Sequence, residues 1–356
     1  MSFIIHVNQN SYTSEQFVKE KFSDTFVIGV QNFIINWLHD LPFTFHSSGS
    51  TGVPKAFVFR KWQLRASAQN TIGALGLNAG EQHILLCLNP MFVGGAMMIA
   101  RALELDCELT LITPGSNVLR QVDPQHPYTF VSFVPMQLLL PDFDFQKFNR
   151  FRQVLIGGSH ISKTLENRLL QTNSSCYHTY GMTETLSHIA LRKIGESDSF
   201  LPLKGTEIKL NENSCIRLKV DFLKDWIETH DIAEIRDDGR FTIKGRTDFV
   251  INSGAFKIHP EQVEFEMEEI IESEKLKIGS FMLGALNDEM LGQKCVSVFH
   301  KFPEKEDYEK LILKLGQRVQ KYCLPKEICV LNTWPLLENG KIDRKKIIEL
   351  INNQAV

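Results

Sequence analysis

From His83 onward the chain alternates short apolar runs with longer amphipathic ones: residues 84–88, 93–105 and 109–112 read as strand, helix and strand. The alternation continues through residues 129–134, 136–140, 153–156, 164–170 and 176–179. Near-continuous apolar strands separated by helical stretches predict an α/β fold with a mainly parallel sheet covered by helices. Ligands of such sheets gather at the carboxyl ends of the strands. Three polar or glycine-containing loops, 89–92, 157–160 and 180–184, leave strands there and are expected to face one cleft.

After about residue 201 the texture changes to short strands with turn signals. Asp237-Asp238-Gly239-Arg240 lies between the runs 232–235 and 241–243, as in a hairpin, which predicts a β-rich subdomain. A second change follows Gly245-Arg246-Thr247-Asp248. Pro260 opens a helix with Glu261 in its first turn and Val263, Met267 and Ile271 four residues apart. The last predicted helix, 344–352, carries Ile347, Ile348 and Ile351 on one face. The expected division is a large domain, 1–247, and a small α+β domain, 248–356.

Composition narrows the function classes. With 356 residues and 43% hydrophobic content the chain can bury a sizeable core. A net charge of −3 gives no footprint for nucleic acid or an anionic membrane surface, so neither is expected as a partner. The most apolar stretch, 84–100, contains Asn89, Pro90, Gly94 and Gly95 and is too short to span a bilayer. The first ten residues lack the pattern of a secretory leader. Seven dispersed cysteines without Cys-x-x-Cys or Cys/His spacing suit a reducing, cytoplasmic compartment as buried thiols.

The segment most suggestive of chemistry is Ser47-Ser48-Gly49-Ser50-Thr51-Gly52-Val53-Pro54-Lys55. Glycines let backbone N–H groups turn toward an anion, hydroxyls donate hydrogen bonds, and an ammonium supplies charge: each part answers a need of a polyphosphate. Gly49, Gly52 and Lys55 recur every third residue, which excludes the G-x-x-x-x-G-K-S/T P-loop. A Gly/Ser-rich surface loop is the other reading of this segment alone.

The segment closely resembles the phosphate-binding signature of the adenylate-forming superfamily, which includes acyl-CoA synthetases, luciferases and peptide-synthetase adenylation domains. Further signatures follow in that family's order. Tyr180-Gly181-Met182-Thr183-Glu184-Thr185 resembles the second. The resemblance implies that Tyr180 stacks on adenine, Thr183 reaches the α-phosphate and Glu184 helps hold Mg2+, a hard cation suited to carboxylate oxygen. Thr229-His230-Asp231 is similar to the family's T-G-D, implying that Asp231 accepts from the ribose hydroxyls, with His230 in place of glycine. Gly245-Arg246-Thr247-Asp248 resembles the hinge signature, implying Arg246 at the ribose and Asp248 as the pivot between domains. The stretch from Ser253 to Glu261 resembles the glycine-rich segment lining the thiol route, with Ala255 for a common glycine. Gly340-Lys341, within Glu338-Asn339-Gly340-Lys341-Ile342-Asp343-Arg344, resembles the C-terminal signature and makes Lys341 the catalytic lysine that contacts the carboxylate and α-phosphate.

The implied chemistry has two half-reactions. A carboxylate attacks the α-phosphorus of Mg-ATP, releasing pyrophosphate, and a thiol, expected to be coenzyme A, then displaces AMP. Lys55, Thr183, Lys341 and magnesium at Glu184 would stabilise charge. Ser47, Ser48, Gly49, Ser50, Thr51 and Gly52 would cradle the phosphates.

Residues 87–101, Gly157-Gly158-Ser159 and 180–188 resemble the o-succinylbenzoate–CoA ligases of menaquinone biosynthesis in particular. Phe92 stands where relatives often carry a gating histidine, and Gly157, Gly158 and Ser159 are expected between the adenine and acyl pockets. Other expectations remain open at this point: a different aromatic or fatty acid, transfer to a carrier protein, or a non-catalytic nucleotide-binding module. The phosphate motif begins near residue 47, earlier than is usual in the family. A shortened first subdomain suits a compact enzyme or one that depends on self-association as a homodimer, and retention of the signatures favours compactness.

Overall fold

The computed structural model describes residues 3–47, 55–123, 125–139, 143–337 and 342–354. The chain opens with hairpin β1 (Ile4–Val7) and β2 (Asn10–Thr13), then helices α1 (Ser14–Lys19) and α2 (Thr25–Leu38). The Asp24 carboxylate accepts from the Phe26 N–H at 2.8 Å and caps α2, whose Phe26, Val27, Val30, Phe33, Ile34 and Trp37 form one buried stripe. Hairpin β3 (Phe43–Ser47) and β4 (Lys55–Phe59) and helix α3 (Lys61–Leu75) follow.

The α/β alternation then begins: β5 (His83–Leu86), α4 (Val93–Leu105), β6 (Glu108–Leu111), β7 (Tyr128–Phe133), α5 (Phe145–Phe148), β8 (Phe151–Ile156), α6 (Lys163–Leu169) and β9 (Ser175–Met182). Strands β10 (Ser187–Lys193) and β11 (Leu201–Pro202) complete a sheet that, among the described residues, has the order β11-β10-β9-β8-β7-β5-β6-β1-β2. The six strands β9, β8, β7, β5, β6 and β1 run parallel, and the edges are antiparallel. Strand β5 pairs with both β6 and β7, so the chain order reverses there. Ile84 and Leu86 enter the core on one face of β5, while Leu85 and Cys87 enter the core on the other. Both faces are dry, which explains why this strand reads as continuous apolar sequence rather than as alternation.

One predicted helix does not form: residues 135–137 make a single 3-10 turn, and the next helix is α5. The Gln137 side chain explains the difference. Its Oε1 accepts from the Val134 N–H at 3.0 Å and its Nε2 donates to the Cys87 and Gly115 carbonyls at 3.2 and 3.1 Å, so the segment plugs neighbouring loops.

Strands β12 (Thr206–Leu210), β13 (Cys215–Val220), β14 (Ile227–Ile235) and β15 (Phe241–Arg246) form an antiparallel sheet, with Ile235 opposite Phe241 across the predicted hairpin. A 3-10 turn, Thr247–Phe249, then leads to a separate sheet of β16 (Ile251–Ser253), β17 (Phe256–Ile258), β18 (Phe281–Asp288), β19 (Gly292–Phe299) and β20 (Glu327–Val330). Helices α7 (Pro260–Ser273), α8 (Lys305–Leu315) and α9 (Arg344–Gln354) pack on it. Val263 and Met267 of α7 are buried as expected, but Ile270 rather than Ile271 takes the next innermost position. Among the described residues no helix is long and apolar enough to cross a membrane.

Candidate functional site

The carboxyl ends of β5, β8 and β9 bring together the loops that the sequence singles out. Phe92 is the half-buried N-cap residue of α4. Three residues on, Gly95 packs so closely on the Asn89 carbonyl that no Cβ fits, which holds loop 89–92 against the helix start. Gly157 leaves β8 with a hydrogen bond from its N–H to the Phe133 carbonyl at 3.1 Å, and a Cβ there would collide with Thr179 Oγ1 of β9. Gly158 has φ +90°, a conformation that favours glycine.

Ser159 is held from behind by His178. The imidazole Nε2 donates to the Ser159 carbonyl at 3.2 Å, and Nδ1 faces Arg192 Nη2 at 3.4 Å. Arg192 is itself paired to Glu166 at 2.7 Å. Burial first, then the Arg192 charge and His160, push the His178 pKa down to about 3, so the ring is neutral at physiological pH.

The strongest polar constellation starts at Tyr180. Its hydroxyl donates to Asp231 Oδ2 at 2.7 Å, and Arg246 donates to Asp231 Oδ1 at 2.6 Å and to Asp248 Oδ2 at 2.8 Å. Four residues from three separate sequence signatures therefore form one chain running from the parallel sheet, through β14 and β15, to the turn between sheets. Burial and the Asp231 charge raise the Tyr180 pKa far above the phenol range, so the hydroxyl stays protonated and donates. The Tyr180 ring is 5.3 Å from Phe241, edge to face, and 5.9 Å from Phe200. His230 is exposed, with Nδ1 at 3.1 Å from Thr247 Oγ1 and 3.3 Å from Asp248 Oδ1.

Thr183 and Glu184 sit on a tight turn after β9 and are half-buried. Thr185 Oγ1 accepts from the Met182 N–H at 3.0 Å and approaches the Ser187 carbonyl at 2.7 Å. Leu186 and Ser187 have positive φ, +53° and +105°, and Gly181 lies against the Ser187 carbonyl with no room for a Cβ. This strained turn presents Thr183 and Glu184 at its apex. Strand β3 lies against it, and Ser47 pairs with exposed Lys55 across the β3–β4 hairpin. Ser48, Gly49, Ser50, Thr51 and Gly52 lie outside the described residues, as does Lys341. Leu336 and Ile342 form an isolated antiparallel bridge. Beyond it, Arg344 pairs with Glu264 at 2.6 Å and stands 5.2 Å over the Phe249 ring.

The two parts of the chain meet across polar groups. Lys163 of α6 pairs with Glu269 of α7 at 3.2 Å, and Thr164 and Asn167 donate to Glu272 at 2.9 and 3.2 Å. Gly245, at φ +146°, packs against the Glu261 carboxylate, whose pKa is raised chiefly by burial. Sequence reading missed His178 and Arg192, which lack a recognisable motif, and Arg101. The Arg101 side chain is fully buried in α4, 3.3 Å from Ser187 Oγ, with no partner for its Nε; burial lowers its pKa to about 9.

Comparison with known proteins is consistent with this geometry. The family model described as AMP-binding enzyme matches residues 4–215. A 2-succinylbenzoate–CoA ligase from Haemophilus influenzae is 30% identical over 335 residues, covering 85% of this chain and 69% of that protein. The crystal structure of an acyl-CoA synthetase (AMP-forming)/AMP-acid ligase II-like protein from Dyadobacter fermentans superposes with a TM-score of 0.61 at 30% identity, covering 96% of this chain and 99% of the other. The o-succinylbenzoate coenzyme A synthetase from Bacillus subtilis, in complex with ATP and magnesium ion, has a TM-score of 0.70 at 20% identity, covering 85% and 69% of the two chains. That last likeness is one of fold.

Proposed function

Because this chain belongs to the AMP-binding enzyme family and is an AMP-forming acid–thiol ligase of that family, we propose that it converts o-succinylbenzoate to its coenzyme A thioester through an acyl-adenylate. The observation that carries the reading is the Tyr180–Asp231–Arg246–Asp248 chain at the carboxyl ends of the sheet. It joins an aromatic ring to a carboxylate that is already oriented to accept hydrogen bonds. In this reading Asp231 and Arg246 hold the ribose, Tyr180 lies beside adenine, and Thr183 donates to the α-phosphate.

Ser47, Ser48, Gly49, Ser50, Thr51, Gly52 and Lys55 take the outer phosphates, which the hairpin's position beside the Thr183–Thr185 turn supports. Glu184 is the carboxylate for Mg2+, whose preference for oxygen donors suits this residue; the ion supplies charge neutralisation on the phosphates when bound. In the first half-reaction the acid's carboxylate oxygen forms a bond to the α-phosphorus as the bond to pyrophosphate breaks, with Lys341 and Lys55 neutralising charge. In the second, the coenzyme A sulfur bonds to the acyl carbon, AMP leaves, and the thiol proton passes to solvent. Phe92, Gly157, Gly158 and Ser159 line the acyl side, positioned by the Gly95 and His178 contacts.

Residues 1–247 and 248–356 act as the large and small domains and pivot at Asp248. Support comes from the sheet boundary at the Thr247–Phe249 turn and from the polar α6–α7 contact, which can part without exposing a dry core. Seven free cysteines support a cytoplasmic setting.

The test is ATP-dependent turnover of o-succinylbenzoate with coenzyme A and Mg2+, following AMP release and product mass. A thioester is expected. AMP without thioester would move the acceptor to a carrier protein, and turnover only with another aromatic or fatty acid would replace the substrate. Absence of adenylation with every acid would favour a nucleotide-binding module. Lys341→Ala is expected to abolish adenylation while sparing nucleotide binding, and unchanged activity would remove its catalytic role.

A further inference from the structure

The opposite, amino-terminal end of the parallel sheet carries three histidines and a glutamate that no part of the ligase reading uses. His83 and Glu108 are the first residues of β5 and β6 and face each other in register. His6 of β1 lies opposite Thr110, two residues beyond Glu108 and thus on the same face of the sheet. His126 comes from the loop before β7. His6 Nε2 is 3.0 Å from Glu108 Oε2, His83 Nδ1 is 3.1 Å from the same oxygen, and His126 Nε2 is 2.6 Å from His83 Nδ1.

The remaining ring nitrogens point outward to hydroxyls: His83 Nε2 is 2.6 Å from Thr110 Oγ1, and His6 Nδ1 is 2.8 Å from Ser11 Oγ. When those outer nitrogens carry the hydrogen, the inner ones present lone pairs, which is how metal-ligating imidazoles are oriented by their second partner. Two ligands at bond lengths of about 2.0–2.1 Å from a tetrahedral ion stand roughly 3.3 Å apart. The ligand atoms of His6, His83 and Glu108 all lie within 4.8 Å of one another and approach this within small side-chain rotations, while His126 stands against His83 alone. The cluster borders a cavity of about 670 Å³ that also meets Lys21, Asp24 and Asp123. Glu108 is exposed and His6 half-buried, so an ion has a route in.

We propose that His6, His83 and Glu108 form a binding site for a borderline transition-metal cation of the Zn2+ class, with His126 swinging in from beside His83 as the fourth ligand. A donor set of imidazoles with a single carboxylate favours such an ion over Mg2+, which seeks an all-oxygen shell. The four residues come from β1, β5, β6 and the loop before β7, so the ion fastens the N-terminal strand and that loop to the sheet. The site lies at the strand ends remote from the nucleotide loops and stands independently of the ligase reading.

The experiment uses the full chain after chelation and dialysis, with Zn2+ titrated calorimetrically and Co2+ as the spectroscopic probe. One equivalent of Zn2+ should bind and raise the melting temperature, with hundredfold excess Mg2+ failing to displace it. Co2+ should show the visible bands of a four-coordinate nitrogen/oxygen site. His126→Gln and Glu108→Gln should each weaken Zn2+ at least about tenfold with an unchanged far-UV spectrum; Glu108 is exposed, so its variant keeps the test valid if His126→Gln folds poorly. Failure to bind Zn2+ would overturn the proposal and leave a hydrogen-bonded cluster. Equal binding by both variants, or a Co2+ spectrum with thiolate charge-transfer bands, would overturn it by placing the ion elsewhere.

Discussion

Replacing His178 by glutamine should flatten the acid side of the stability profile. The folded pKa of this buried ring, about 3, lies below its ordinary value of 6.5. As pH falls, the unfolded chain takes up a proton that the folded chain refuses. The sign follows: the stability conferred by neutral His178 is complete above pH 6.5 and is lost progressively as pH falls toward 3. At one proton per chain and about 1.4 kcal/mol per pH unit, the loss between pH 6.5 and 5.0 is about 2 kcal/mol. A glutamine amide can still donate to the Ser159 carbonyl but does not titrate. Urea unfolding followed by far-UV circular dichroism at pH 7.5 and 5.0 reads the difference. Wild type should lose about 2 kcal/mol more than His178→Gln over that interval, with contributions from His83 and His188, whose pKa values are also lowered by burial, present in both. Equal losses in the two proteins would refute the account of His178 as a ring kept neutral by burial.

Further outcomes follow from the same contacts. Asp231→Asn removes the charge that Arg246 and Tyr180 share, a charge-assisted bond of about 1.5–3 kcal/mol that partial exposure of Arg246 reduces; ATP affinity measured calorimetrically should fall about tenfold, and unchanged affinity would remove Asp231 from the ribose site. Gly157→Ala drives a Cβ into Thr179 Oγ1 and should raise the KM for the acid severalfold, while adding Thr179→Ala restores it; absence of rescue would show that the collision is not the cause. Arg101→Met replaces a buried cation that has no partner for its Nε with an apolar side chain of similar length. It should be neutral or stabilising by about 1 kcal/mol in urea unfolding, and a loss above about 2 kcal/mol would mean the Ser187 contact outweighs the burial penalty.

The parallel core was legible because strand segments buried on both faces read as apolar runs, as Ile84–Leu86 of β5 and Val154–Ile156 of β8 do. The small domain was legible from Pro260 and the helical spacing after it. The first 80 residues were less so: β1 joins the sheet only by pairing with β6, more than a hundred residues away, and no local pattern announces such a partner. The helix expected from residue 136 had the right composition, but residues 135–137 form a 3-10 turn in which the Gln137 side chain is held by tertiary hydrogen bonds. Motif residues were legible one signature at a time, because each carries its chemistry in its side-chain type.

By itself the sequence determined the layered α/β plan, the polar loops at strand ends and the family to which the signatures belong, since these rest on periodicity and on chemistry local to a few residues. Tertiary structure alone decided that Tyr180, Asp231, Arg246 and Asp248 form one hydrogen-bonded chain, that His178 rather than a motif residue supports Ser159, and that His6, His83, His126 and Glu108 meet. Each depends on strand register and burial, which set distance and solvation between residues far apart in the chain.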